Sequence, residues 1–140
     1  TLRQMEKDGV VTKYTGEGSK GPEKSVYAIT EKGRDMLIKW LKVQNDKEYV
    51  KYEILLKLFF GSMVSFGDNL KRVGDFKERY ENVVKMIQLY KENLEKVMND
   101  GEDHFYYYLT VLFGEHIYRA YIDWADEAEK LLEAHMKNNK

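Results

Sequence analysis

The sequence contains no cysteine, which excludes disulfides, cysteine-ligated zinc and thiol catalysis. That absence fits a reducing compartment, and a cytoplasmic location is expected. A single proline leaves no long polyproline spacer. Histidine is scarce as well: His104, His116 and His135 stand 12 and 19 residues apart, which is not metal-ligand spacing. No apolar run approaches the ~18–20 residues that a membrane-spanning helix needs. The chain opens on a polar helical segment rather than a signal peptide. Phosphate-binding glycine loops, dinucleotide fingerprints and Gly-x-Ser-x-Gly are missing. Glu78, Glu81, Glu92 and Glu95 alternate with Lys77, Lys85, Lys91 and Lys96, as on a solvated, ion-paired helix face, so they offer no acid–base pair. The chain is therefore read as a non-enzyme that takes no cofactor and no metal.

What is present is unevenly distributed. The formal net charge is only −1, but residues 1–45 carry nine Lys/Arg against six Asp/Glu, and residues 46–140 carry fourteen against eighteen. A basic front and an acidic back suit a nucleic-acid-facing module joined to a partner-facing one.

Local chemistry orders the elements. Leu2 and Met5 share a face of a helix end that Gly9 closes as a C-terminal cap. Val10 to Thr15 has strand composition, residues 16–24 hold three glycines and the proline, and Ser25 to Ile29 is a returning strand. Thr30 then caps a helix with Glu31 in its first turn and Met36, Leu37, Trp40 and Leu41 as its stripe. Gly33 inside that first turn costs up to ~1 kcal/mol relative to alanine, which a close backbone contact would explain. Helix end, strand, glycine-rich turn, strand and helix follow one another as in the back half of a winged-helix DNA-binding domain.

Residues 43–48 are polar and read as a hinge, and a helix with Tyr52, Leu55, Leu56, Phe59, Phe60 and Met63 follows. Phe76, Tyr80, Val83, Ile87, Tyr90, Leu94 and Val97 alternate at spacings of 4 and 3, a heptad seam that must pack lengthwise on another helix. A last helix over 103–137 has an apolar stripe through Phe105, Leu109, Leu112, His116, Ala120, Trp124, Ala128, Leu131 and His135. Phe105, Tyr106, Tyr107 and Tyr108, at about 100° per residue, point around nearly the whole helix. One neighbouring helix cannot cover all of them, so a second chain is expected.

Three motifs together resemble the PadR family of bacterial transcriptional regulators. They are Leu2-x-x-Met5-Glu6-x-x-Gly9-Val10-Val11, Gly21-Pro22-x-Lys24-x-x-Tyr27-x-x-Thr30-Glu31-Lys32-Gly33-Arg34, and Trp40-Leu41. The run from Val50 to Phe60 resembles the opening of the C-terminal domain in that family's longer, virulence-activator-like subfamily. The resemblance implies a mainly α fold with a small β-hairpin wing: a partial winged helix over 1–43, then a coiled-coil-like helical dimerisation domain over 44–140. It also implies two further helices and a Tyr-Pro motif upstream of Thr1. The sequence is thus expected to be part of a longer protein, and these 140 residues to fold without recognising an operator on their own.

The function implied is that of a dimeric regulator of operator DNA, released by a small aromatic effector. Thr1, Arg3, Lys20 and Lys24 are the expected DNA contacts, the two lysines as phosphate-binding charges. By the resemblance, Glu53, Tyr107 and Tyr108 are the expected effector residues, while the residues by themselves favour an exposed helix position for Glu53 and core and dimer packing for the two tyrosines. Phe105, Tyr121 and Trp124 are assigned to the dimer contact. The alternative is a helical dimerisation or protein-interaction module whose hairpin touches no DNA.

Overall fold

The computed structural model describes residues 1–16, 24–44 and 50–138. The chain divides into two compact units, Thr1–Tyr49 and Val50–Lys140. The hinge expected at 43–48 lies mostly outside the described residues, as does the loop over 17–23.

The first unit begins with α1 (Leu2–Lys7), which buries none of its residues. Gly9 ends it at φ 70°, a left-handed conformation that glycine adopts without penalty. The N–H of Gly9 then donates to Glu6 O and that of Val10 to Met5 O, both at 3.0 Å, the paired bonds of a Schellman cap. The chain leaves this turn directly into β1 (Val11–Gly16), which pairs antiparallel with β2 (Lys24–Ile29) in the register Val11 to Ile29 through Gly16 to Lys24. Thr30 caps α2 (Glu31–Leu41), its hydroxyl accepting the N–H of Gly33. Gly33 is buried, and a Cβ there would stand 2.1 Å from Val10 O, which is the close contact its presence implied.

The second unit is a pair of long helices with a short one beside them. Ahead of the pair come α3 (Glu53–Phe59) and a 3₁₀ turn at Gly61–Met63. Ser65 starts α4 (Phe66–Val97) with a complete capping box: its hydroxyl accepts from Asp68 N–H while the Asp68 carboxylate accepts from Ser65 N–H. Buried Asn69 donates to Gly61 O at 2.8 Å and ties the 3₁₀ turn to α4. At 32 residues α4 is about 48 Å long at 1.5 Å per residue. The chain turns at residues 98–101 and returns as α5 (Glu102–Asn138), which lies along α4 as the heptad seam requires.

The seam on α4 faces inward except at Tyr90, which stays 55% exposed, and the deepest positions are Val73 and Val84. On α5 the inward face differs from the expected stripe. It runs through His104, Tyr108, Val111, Glu115, Tyr118, Ile122, Ala125, Glu129, Leu132 and Met136, again at spacings of 4 and 3, and all are buried or half-buried. Phe105, Leu109, His116, Ala120, Leu131 and His135 of the expected stripe are exposed instead. Two glutamates break the apolar pattern of the true seam, and partners on the same two helices make their burial tolerable. Lys91 donates to Glu115 at 2.9 Å, and Lys77 reaches both Asp126 and Glu129 at 2.5 and 3.1 Å.

Among the described residues, the buried apolar side chains are Val10, Val11, Ile54, Val73, Val84 and Ala125. Large apolar groups such as Phe59 (81% exposed), Phe113 and Leu131 stay outside, so much apolar surface is left without cover within one chain. No described helix is long and apolar enough to cross a membrane.

Candidate functional site

Two regions are candidates for function, one in each unit. In the first unit, Thr1 is the N-cap of α1 and Arg3 lies on that helix, both exposed. The helix runs into the hairpin through the corner at residues 8–10. Lys24 opens β2 opposite Gly16. Lys20 lies outside the described residues, and the side chain of Lys24 does as well. Lys13, exposed on β1, is a basic residue of the same hairpin that the motif comparison passes over, because no motif position includes it.

That corner is densely hydrogen-bonded. The Thr30 hydroxyl donates to Gly9 O at 2.8 Å, the Thr30 N–H to Val10 O at 3.0 Å, and the Lys32 ammonium to Asp8 O at 2.6 Å. Gln4 also closes onto the Asp8 carboxylate at 2.8 Å.

In the second unit, a cleft of about 280 Å³ lies between α3 and the first half of α4. Tyr52, Ile54, Phe76 and Tyr80 form its apolar part, and Lys51, Lys57, Arg72 and Arg79 outnumber Glu53 and Asp75 at its polar part. Lys57 is held by Glu53 at 2.5 Å, and this hydrogen bond keeps the Glu53 carboxyl below its usual range. Arg72 donates to Asn69 Oδ1 at 2.9 Å. Among the described residues Lys51 and Arg79 close no ion pair, so the cleft retains positive charge.

Behind this cleft lies an aromatic cluster. Tyr121 packs edge-on against Tyr52 and Tyr80, with centroids at 5.6 and 4.9 Å, and Phe76 packs edge-on against Trp124 at 5.4 Å. The hydroxyls of Tyr52 and Tyr121 meet at 2.5 Å. That hydrogen bond, with burial behind it, pushes the Tyr121 hydroxyl up to about 12. A second, apolar hollow of about 220 Å³ opens beside the pair, lined by Tyr52, Ile54, Leu55, Phe76, Tyr121 and Trp124.

The structure separates the expected effector residues. Glu53 lines the cleft beside Arg79, whereas Tyr108 donates to Glu95 at 3.2 Å and the ring of Tyr107 lies tilted beside His104, toward the far end of α4. Sixteen residues of helix separate Arg79 from Glu95, about 24 Å at 1.5 Å per residue. One small molecule on one chain cannot touch both ends. Tyr121 and Trp124, assigned to the dimer contact, are half-buried in the chain's own aromatic cluster, because α5 rolls its 118–122–125 face inward; Phe105 remains 48% exposed. Sequence reasoning missed Arg72 and Arg79. Their seven-residue spacing places both on one face of α4, but only the fold shows that α3 stands opposite. Among the described residues no three His, Asp or Glu side chains are placed to hold a metal ion.

Residues 50–133 match the family described as virulence activator alpha C-term. No curated protein matches the sequence. Among solved structures, smu.1604c from Streptococcus mutans UA159 is 31% identical, with a TM-score of 0.73 over 97% of this chain and 74% of that one. The Vibrio cholerae virulence activator AphA is 24% identical, with a TM-score of 0.74 over 96% of this chain and 75% of that one. Bacillus subtilis PadR in complex with operator DNA is 24% identical, with a TM-score of 0.70 over 94% of this chain and 75% of that one. The same protein in complex with p-coumaric acid superposes with a TM-score of 0.71 at 23% identity, over 94% of this chain and 74% of that one.

Proposed function

Because the chain belongs to the virulence activator alpha family and has the fold of PadR-like transcriptional regulators, we propose that it regulates transcription by binding operator DNA as a dimer. The observation that carries this is the unit α1–β1–β2–α2, which follows the fold of a protein solved on its operator. A helix end locked to an antiparallel hairpin is what a winged helix needs: the helix reads the major groove and the hairpin lies on the backbone. Thr1 and Arg3 are the contacts on α1, and Lys20 and Lys24 are phosphate contacts on the wing. The test is equilibrium binding of the intact protein to a duplex enriched from a random pool. Affinity falls steeply with salt, and replacing Lys20 and Lys24 by alanine lowers the log–log slope by about one unit each. An unchanged slope removes these lysines from the interface. Absence of any enriched sequence favours the alternative, a helical interaction module without a DNA role.

A second copy is supported by the uncovered face of α5. Phe105, Tyr106, Tyr107, Leu109 and Phe113 are 44–68% exposed in one chain, together with Met86, Leu89 and Tyr90 on α4. Apolar surface of this extent suits an obligate interface of the larger class, beyond ~2,000 Å² in total.

Release by an effector is supported by the cationic, aromatic cleft between α3 and α4, together with the p-coumaric acid complex of the Bacillus subtilis relative. An aromatic acid places its ring against Tyr52, Phe76 and Tyr80 and its carboxylate on Arg79 and Lys51. Calorimetry with p-coumaric acid tests this: Arg79→Ala abolishes the heat, and ligand lowers DNA affinity in the unsubstituted protein only.

A further inference from the structure

Three consecutive carbonyls, those of Asp8, Gly9 and Val10, carry the chain out of α1 and into β1, and each is taken by the tripeptide that opens α2. Lys32 Nζ binds Asp8 O, the Thr30 hydroxyl binds Gly9 O, and Thr30 N–H binds Val10 O. The Thr30 oxygen also accepts Gly33 N–H at 3.1 Å, so one hydroxyl both caps α2 and grips the corner. Gly33 lets the two backbones approach this closely, since a Cβ there would meet Val10 O. Carbonyls at a helix end have no intrahelical partner, and a cation beside them also opposes the negative end of the helix dipole. None of the residues of α1 is fully buried, Leu2 and Met5 being 51% and 43% exposed, so polar ties at its C-terminal end carry much of its hold on the rest of the unit.

We propose that Thr30 and Lys32 are positioning residues for DNA reading: they fix the angle at which α1 meets the hairpin, and with it the placement of Arg3 in the groove, without touching DNA. This rests on the DNA-binding role of α1 proposed above. It differs from a phosphate-contact role for Lys32 in what it leaves unchanged. A misdirected α1 loses base readout, while the charges that bind any duplex stay where they were.

The experiment measures binding of the intact protein to a duplex enriched by the unsubstituted protein and to a scrambled duplex of equal length, across a range of salt. Lys32→Met keeps the aliphatic stem and removes the donor; Thr30→Val keeps the shape and removes the hydroxyl. Each is expected to lower the ratio of specific to non-specific affinity by about tenfold, the scale of one lost charge-assisted or doubly used hydrogen bond. Non-specific affinity and salt slope stay unchanged, and amide exchange at Asp8, Gly9 and Val10 speeds up while exchange in α4 and α5 does not. Lys32→Arg and Thr30→Ser restore the ratio. Equal losses on both duplexes with a slope lower by about one would make Lys32 a phosphate contact and overturn the proposal. A lower melting temperature with an unchanged ratio would make the corner a stability element only and overturn it too. If the unsubstituted protein prefers no sequence, the DNA-reading premise fails and the proposal falls with it. An unchanged ratio in a protein that does select a sequence sinks the clamp alone.

Discussion

Glu115 shows what it takes to seat a charge between two helices. Its side chain is only 11% exposed, and it accepts from Lys91 at 2.9 Å and from Arg119 at 2.8 and 3.1 Å. Those hydrogen bonds, Lys91 first, hold the carboxyl below its ordinary value of 4.5 despite burial. A folded-state pKa below the unfolded one means stability that is complete above the unfolded value and is lost as pH falls through the folded one. Glu115→Gln should therefore show a smaller loss of urea midpoint between pH 7 and pH 3 than the unsubstituted chain, the remainder coming from carboxyls shifted the same way, Glu53, Asp68 and Asp126 among them. Identical acid sensitivity in both proteins would show that Glu115 is not linked to folding. Glu115→Ala should lower stability at pH 7 by about 1–3 kcal/mol, as for a buried partner left unpaired. At Gly33 two effects compete. Alanine gains up to ~1 kcal/mol of helix propensity, but its Cβ would sit 2.1 Å from Val10 O, and backbone displacement of this kind costs about 1–3 kcal/mol. Gly33→Ala is expected to destabilise the first unit, read by hydrogen exchange at residues 10–15 and 25–29.

Among the elements, α4 depends on its start. The Ser65–Asp68 box satisfies two N–H groups that would otherwise face water, and Asp68 also suits the positive end of the helix dipole. Ser65→Ala should cost about 1 kcal/mol in urea unfolding. Asp68→Asn, which retains an acceptor and loses the charge, should cost less. The order matters: equal losses would mean that the charge counts for as much as the hydroxyl in the cap. In α5 the inward face is set by geometry and charge together. A strip holding Glu115 and Glu129 packs inward because Lys91 and Lys77 on α4 meet these carboxylates, and the more apolar neighbouring strip is left outside.

For the whole molecule, that outer strip is the most consequential surface. Phe113 is 68% exposed and Tyr106 62%, on a chain whose buried apolar residues among those described are few and mostly small. Sedimentation at low micromolar concentration is expected to give twice the 16.6 kDa of one chain. Phe113→Glu should weaken that dimer by at least about tenfold, as loss of a central aromatic contact does, while the far-ultraviolet signature of α4 and α5 is retained. A monomer in the unsubstituted protein would remove the second copy and leave the exposed aromatics for another partner.

Much of the architecture was legible in the residues because it depends on near neighbours. Gly9 as a helix stop, Thr30 as a cap, the two strands on either side of a glycine-rich stretch and the seam of α4 all follow from chemistry within one or two turns of chain. The family motifs reached the same unit from the spacing of Tyr27, Thr30 and Gly33. The site was only partly legible. Glu53 does line a cleft, but Arg72 and Arg79 declare themselves only when α3 is placed opposite them. Tyr107 and Tyr108, which their sequence pattern favours as packing residues, lie near the other end of α4 from that cleft. What the linear order of residues determined is where helices and strands begin, end and turn, since propensity, capping and periodicity act over a few positions. What only the tertiary structure decided is which face of α5 is buried and which groups hold the end of α1. Lys91 meets Glu115 across 24 residues, and Lys32 meets Asp8 across another 24. A polar group's tolerance for burial depends on the partner it finds, and no local pattern encodes a partner that far away.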